Sequence, residues 1–248
     1  LGHTSDAYAN LVGPFGGITA AQILNAVMLD DRRLGEPLSL TVNYAAGVAD
    51  GPFELRTRAA RTNRSTQHWI VEMVQDQQTV ITATLVTAVR RDTWALDDEP
   101  VPECPPPGEV AVVQIALPNR WFNQYEMRPV VGLLPEVWDG SGDSSLSMLW
   151  VRDNPPRPLD HLSVAAMSDV FFPRIFRRRA VLVPAGTVSM TVYFHASARQ
   201  LQSAGSGYVL ARARAHAFRH GFHDQVAQLW SETGDILTTT HQVVYYKS

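Results

Sequence analysis

The chain has 248 residues, 45% of them hydrophobic and 18% charged, with a formal net charge of −3. That composition describes a soluble globular protein with ample core and leaves room for one large domain or two of ordinary size. The slight acidic excess argues against a nucleic-acid partner, and a single cysteine, Cys104, excludes a disulfide framework or a cysteine-built metal centre.

Gly13-Pro14-Phe15-Gly16-Gly17 is a turn signal opening a helix over 18–29, apolar nearly all round with Thr19, Gln22 and Asn25 as its polar members. Strand-like runs follow at 38–46, 53–62, 67–75 and 79–89, rich in Val, Ile, Thr and aromatics. Asp50-Gly51-Pro52, Asn63-Arg64-Ser65 and Asp76-Gln77-Gln78 punctuate them. Residues 92–118 change character: Pro100, Pro102, Pro105, Pro106, Pro107 and Gly108 mark a linker, and Cys104 within it reads as incidental. Beyond it come a strand near 121–128, a Gly-Ser-rich turn at 139–145 and a strand at 146–152. A second apolar helix is predicted over 160–176, and strands at 187–195, 208–218, 224–230 and 236–246 complete the chain.

The second helix carries an anomaly. Leu162, Ala165, Ala166 and Asp169 share a face by i, i+3, i+4, i+7 spacing, and Asp169 is the only formal charge between His161 and Arg174. An ionised carboxylate away from water is costly unless it is hydrogen-bonded or neutralised. Either Asp169 is a structural acid, paired with Arg174 or a hydroxyl, or it belongs to a site.

The halves repeat. Leu40-Thr41-Val42-Asn43-Tyr44 matches Met190-Thr191-Val192-Tyr193-Phe194, and Leu55-Arg56-Thr57-Arg58-Ala59 matches Ala211-Arg212-Ala213-Arg214-Ala215. Gln75-Asp76 matches Ser231-Glu232, each before a final strand. Helices do not alternate with the strands, so a doubly wound sheet is excluded. Neither apolar helix buries all its sides alone, which predicts an α+β tandem hotdog fold: two curved antiparallel sheets, each wrapped round a central helix. Its parts are an N-terminal half at 1–91, the linker at 92–118 and a C-terminal half at 119–248.

Three patches carry a family resemblance. Phe15-Gly16-Gly17-Ile18-Thr19-Ala20-Ala21-Gln22, Ala165-Ala166-Met167-Ser168-Asp169, and the run from Thr187 through Met190 to Phe194-His195 resemble the acyl-CoA thioesterase II type of double-hotdog thioesterase. Thr240-His241-Gln242-Val243 falls where that family has its glutamine. The chain departs from the family at Ser189 and Met190, usually Asp-His, and at Ala196 and Ser197, usually Arg-Pro.

The resemblance implies hydrolysis of an acyl thioester by water held between Asp169, Thr187 and Gln242. Asp169 would deprotonate the water, Thr187 would relay or fix it, and Gln242 would supply the other hydrogen bond. Gly16 and Gly17, at a helix N-terminus, are candidates for receiving the oxyanion. Arg177 and Arg178 are candidates for the phosphates of coenzyme A, although a basic run also suits a solvated helix end. Strict alternation sets Thr187 with Ser189, Thr191 and Tyr193, opposite the apolar row; either that polar series faces the helix or a bulge re-aims Thr187. Register along the repeat puts Gln242 in the place of Val86, an apolar slot turned into a carboxamide. The first helix has no central acid, so one competent site per chain is expected.

Other readings are weaker. His195, His216, His220, His223 and His241 offer no compact ligand pair backed by acids, and are expected to be structural or on the surface. Trp94, Trp121, Trp138, Trp150 and Trp230 are expected mostly in core or interface. Arg152-Asp153-Asn154-Pro155-Pro156 followed by Asp160-His161 resembles the hotdog enoyl-CoA hydratase signature, but in the wrong order and spacing; it reads as a turn with Asp160 as helix cap. A non-catalytic acyl-CoA or acyl-carrier binding protein on the same fold is the alternative from a different class. The expected partners are an acyl-CoA or acyl-carrier thioester and further copies of the chain as a homo-oligomer, with no nucleic acid. Coenzyme A enters only as part of the substrate, and no metal or organic cofactor is required. No apolar run is long enough to span a bilayer and no signal-peptide pattern opens the chain, so a cytoplasmic location without membrane insertion is expected, within fatty acid metabolism. A first residue of Leu1 rather than Met points to residues before it.

Overall fold

A computed structural model describes residues 1–114 and 118–247. Helix α1 spans Gly16–Met28, and Ala20, Ile23, Leu24 and Val27 form its fully buried stripe. The first half adds a short edge strand β1 (Gly2–His3) and strands β2 (Glu36–Tyr44), β3 (Pro52–Thr62), β4 (Thr66–Gln75) and β5 (Gln78–Ala88). On β4 the period of two is plain: Trp69, Val71 and Met73 are buried between exposed His68 and Ile70.

The second half contains β6 (Tyr125–Val131), β7 (Ser147–Asp153), α2 (His161–Met167), α3 (Arg174–Arg179), β8 (Ala185–Phe194), α4 (Ala198–Ala204), β9 (Val209–Arg214), β10 (Phe218–Arg219), β11 (Phe222–Ser231) and β12 (Ile236–Tyr246). The segment at 208–218, expected as one strand, is β9 followed by the short β10, which folds back on β11 through a turn at His220 and Gly221. Helix α4 was not expected, although its capping box, Ser197 with Gln200, stands in the sequence.

The fold is the expected tandem hotdog, with the two halves' sheets continuous. The strands run β1-β3-β4-β5-β2-β8-β12-β11-β9-β7-β6, with β10 beside β11. The halves join where β2 meets β8 antiparallel, with Thr41 opposite Thr191, Leu40 opposite Val192 and Val42 opposite Met190. The repeat makes Thr41 equivalent to Thr191, so the junction is a local twofold on which equivalent residues meet; their hydroxyls lie 3.0 Å apart. Helices α1 and α2 pack together beneath the sheet. Gly17 permits that closeness, since a Cβ there would lie 2.3 Å from the Ala166 carbonyl oxygen.

The helix predicted over 160–176 is broken. Helix α2 begins as expected at Asp160, whose carboxylate accepts from the Ser163 N–H at 2.7 Å, but ends at Met167. Asp169 and Val170 then donate to the carbonyls of Ala166 and Met167, a tightened last turn. Pro173 stops any continuation: it has no N–H for the Asp169 carbonyl and disfavours a helical Phe172. A new helix, α3, starts directly after it. Asp169 therefore sits just past a helix end, not on a helix face.

The proline-rich segment is a strap across the outer face of the second half. Trp150 Nε1 donates to the Pro105 carbonyl at 2.9 Å, and Arg128 donates to the carbonyls of Pro107 and Val110. Glu99 pairs with Arg212, while Asp97 accepts from the Ile236 N–H at 3.0 Å. Cys104 and Val110 pack on Trp150, Tyr208, Leu210 and Trp230. The part of this segment at 115–117 lies outside the described residues. Trp121, Trp150 and Trp230 are buried as expected, whereas Trp94 and Trp138 are exposed.

Candidate active site

The residues singled out on three separate stretches meet beneath β8 and β12. Gln242 faces inward from β12 in a row with Thr238, Thr240 and Val244, while His241, Val243 and Tyr245 point out. Its Nε2 donates to Asp169 Oδ1 at 2.9 Å. Thr187 Oγ1 donates to Gln242 Oε1 at 3.4 Å. The hydroxyl therefore fixes the oxygen end of the carboxamide and turns its N–H end to Asp169.

Thr187 reaches this side through a bulge. Ser189 pairs with Val243 and Thr187 with Val244, which leaves Val188 unpaired and exposed. One extra residue reverses the alternation, so Thr187 joins the inward row of Met190 and Val192. The first half has the same irregularity between Pro37 and Ser39, around an exposed Leu38. The bulge belongs to the repeat, and only its residue differs: Pro37 in one half, Thr187 in the other.

The register corrects the expected equivalent of Gln242. Thr41 pairs with Thr84 and Thr191 with His241; Leu40 pairs with Leu85 and Met190 with Gln242. Gln242 therefore replaces Leu85, not Val86. The one-residue slip lies in the last hairpin: Gln75 pairs with Gln78 across Asp76-Gln77, whereas Ser231 meets Asp235 across the three residues 232–234. The row Ile81, Ala83, Leu85 of the first half becomes Thr238, Thr240, Gln242 in the second. The Thr240 hydroxyl is buried without a partner among the described residues.

Asp169 closes the group from below. The residue is half-buried, and desolvation of its carboxyl pushes its pKa up to about 7. The hydrogen bonds from Gln242 and the Gly17 N–H act in the opposite direction and are outweighed. Gly16 and Gly17 open α1 against this carboxylate: a Cβ on Gly16 would lie 2.7 Å from Asp169 Oδ2. No side chain caps α1, so its first N–H groups, the positive end of the helix, face the site. Tyr44, which the sequence did not single out, lies beside Gly16, its hydroxyl donating to the Gly16 carbonyl at 2.8 Å. Burial, and then the Asp169 charge, push its phenol up. Tyr125 is a second phenol near Asp169, raised by burial first.

The other candidates lie elsewhere. Arg174 is not the partner of Asp169; it donates to the carbonyls of Phe172 and Ser145 and to the Ser147 hydroxyl, and burial lowers its pKa to about 9. Arg178 donates to the Gly142 carbonyl at 3.0 Å, and Arg177 precedes it on α3; neither bonds to Asp169, Thr187 or Gln242. Asp153 takes the Ser163 hydroxyl and Arg157, while His161 meets the Ala196 carbonyl, so no hydratase-like Asp–His pair assembles.

An acid, a hydroxyl and a carboxamide thus gather at a helix N-terminus inside a double hotdog, and the comparisons give the family of the chain. Residues 5–88 match the acyl-CoA thioesterase N-terminal domain and residues 97–246 the acyl-CoA thioesterase C-terminal domain; the chain belongs to this family. It is similar to a hotdog-fold protein of unknown function from Alicyclobacillus acidocaldarius, at 43% identity over 100% of this chain and 92% of that one, with a TM-score of 0.95. The tesB protein of Mycobacterium avium subspecies paratuberculosis shares the fold at 18% identity, covering 95% and 88% of the two chains, with a TM-score of 0.76. Acyl-CoA thioesterase II TesB2 from Mycobacterium marinum does so at 19% identity, covering 94% and 89%, with a TM-score of 0.73. A search of curated proteins finds no match. Among the described residues no helix is long and apolar enough to cross a membrane.

Proposed function

We propose that the protein hydrolyses acyl-CoA, or an acyl-carrier thioester, with water activated by Asp169. The hydrogen-bonded chain from Thr187 through Gln242 to Asp169, ending against the start of α1, carries this reading. Ionised Asp169 takes a proton as the water oxygen bonds to the thioester carbon. The oxyanion then meets N–H groups at the α1 N-terminus, where Gly16 leaves the backbone open. Collapse breaks the carbon–sulfur bond, and the proton held by Asp169 passes to the leaving sulfur. Thioester and water thus become carboxylic acid and thiol, with no metal or organic cofactor in the scheme. Thr187 and Gln242 orient Asp169 and the water. Arg177, half-buried, and Arg178, exposed, both on α3, are offered for the phosphates of coenzyme A. The reading extends to a cytoplasmic homo-oligomer serving fatty acid metabolism.

The test is release of free thiol from a panel of acyl-CoA substrates. Thiol and acid appearing in equal amounts support hydrolysis. Binding of acyl-CoA without thiol release points to a non-catalytic acyl carrier, and hydration of an enoyl-CoA without thiol release points to a hydratase.

A further inference from the structure

The inward face beside Gln242 carries more polar groups than the chain from Thr187 to Asp169 uses. Gln242 faces Gln225 across β11 and β12, and Thr240 faces Ala227. In the first half the same two pairs are Leu85 with Trp69 and Ala83 with Val71. Gln225 and Ala227 thus stand where the other half has the bulkier Trp69 and Val71, and Gln225 and Thr240 put hydrogen-bonding groups where it has hydrocarbon. Their neighbours are already paired. Thr238 meets the Ser168 hydroxyl at 3.4 Å, and Gln242 is spent on Asp169, Thr187 and, at 3.2 Å, the Met190 sulfur. The Thr240 hydroxyl and the Gln225 amide have no hydrogen-bond partner among the described residues, although only 4% and 2% of these residues is exposed. A buried polar group left unpaired is costly, and a fold keeps one where water or a ligand completes it. Both groups lie close to the acid. Facing side chains on adjacent strands stand about 5 Å apart at Cβ, and residues two apart on one strand about 7 Å. Ser168 and Asp169, consecutive in the turn below, touch Thr238 and Gln242, so Thr240, between those two on β12, faces the same turn.

We infer that Gln225 and Thr240 receive an oxygen carried by the acyl group, and that the preferred substrates are hydroxyacyl thioesters substituted on the second or third carbon. The inference rests on the thioester-hydrolase reading of the same site. With the thioester carbon at Asp169, the second and third carbons lie one and two bonds further on, beside the residues that flank Gln242. The Gln225 N–H donates to the substrate hydroxyl, whose own proton goes to the Thr240 oxygen. The space that Trp69 fills in the first half is where the substituent fits in the second. An unsubstituted chain leaves both protein groups buried and unpaired, so the site selects against it.

The experiment compares hexanoyl-, 2-hydroxyhexanoyl- and 3-hydroxyhexanoyl-CoA on the wild type, Gln225→Leu and Thr240→Val. Both substitutions keep the size of the side chain and strand no partner. The wild type is expected to favour one of the hydroxyhexanoyl thioesters over hexanoyl-CoA by at least about tenfold in kcat/KM, and each variant to bring that ratio toward one. Equal turnover of all three by the wild type, or a preference that survives in both variants, overturns the inference and leaves the hydrolase reading standing. A second measurement is binding of the S-hexyl and S-(3-hydroxyhexyl) thioethers of coenzyme A, which cannot be hydrolysed. If no thioester is turned over, yet the hydroxylated thioether binds at least about tenfold tighter and loses that advantage in both variants, the hydrolase reading fails and the hydroxyl site survives. Equal binding of the two thioethers in the absence of turnover overturns both.

Discussion

Gln242 donates a hydrogen bond to Asp169 at 2.9 Å across 73 residues of sequence, from the one position on its strand where the other half of the repeat carries Leu85. The same backbone slot is hydrocarbon in one half and a carboxamide in the other, so the substitution Gln242→Leu returns a side chain that this fold already accommodates. Loss of the amide leaves Asp169 and the water unoriented. We expect kcat to fall about 10²–10³-fold, the usual effect of deleting one preorganised donor. The melting temperature should fall by only a few degrees, the cost of leaving the Thr187 hydroxyl and the Asp169 carboxylate without their shared partner. Steady-state kinetics with a thermal melt separates the two effects; a large loss of stability with kcat unchanged would contradict this role.

Activity should depend on pH through Asp169. The acid must be ionised to take a proton, and burial places its pKa at about 7. kcat/KM is therefore expected to rise through neutral pH and level off above it. A profile already flat from pH 5 upward would mean that another group takes the proton.

The same shift has a stability consequence of opposite sense. Folded Asp169 holds its proton up to about pH 7, while the unfolded chain releases it near the ordinary carboxylate value of 3.8. Between those values the folded state binds more protons, so stability falls as pH rises and stays lowered above about 7. Asp169→Asn removes that cost, and its side-chain oxygen still accepts from Gln242. The variant should melt higher than the wild type at pH 8, by several degrees, and the gap should shrink toward pH 5. Melts at the two pH values check it.

The paired glycines should separate. A Cβ at Gly17 meets the Ala166 carbonyl oxygen at 2.3 Å, a backbone atom between two packed helices. Gly17→Ala is expected to destabilise the protein by about 1–3 kcal/mol, read in a denaturant melt. A Cβ at Gly16 meets Asp169 Oδ2 at 2.7 Å, a side-chain atom able to swing away. Gly16→Ala should therefore cost activity more than stability, by moving the carboxylate off its hydrogen bonds.

Much of this was legible in the sequence because it rests on local pattern. Alternation located β4, β5, β11 and β12 to within a residue or two, and the repeat Thr41/Thr191 marked the strands that meet at the twofold. Asp169, Thr187 and Gln242 stood out through a charge in an apolar stretch and a family resemblance. What failed was non-local. The helix over 160–176 read as continuous because its apolar spacing survives the turn at Ser168–Asp169, although Pro173 was there to signal the break. The bulge at Val188 leaves no periodic trace, so the facing of Thr187 stayed open; the turn at 232–234 has one residue more than Asp76-Gln77, so Gln242 was matched to Val86 instead of Leu85. Tyr44 was missed because a tyrosine closing a strand carries no signal until α1 is placed beside it. The segment at 92–118 reads as a spacer by composition, and only Trp150 and Arg128, distant in sequence, show what its part at 97–110 covers.

The most direct measurement is thiol release from acyl-CoA by the wild type and by Asp169→Asn at saturating substrate and pH 8. Asparagine keeps the shape and the hydrogen bond from Gln242 but cannot take a proton. The expected result is that kcat falls at least about 10²–10⁴-fold while acyl-CoA binding is retained. Turnover by Asp169→Asn equal to that of the wild type would contradict the assignment of Asp169 as the base.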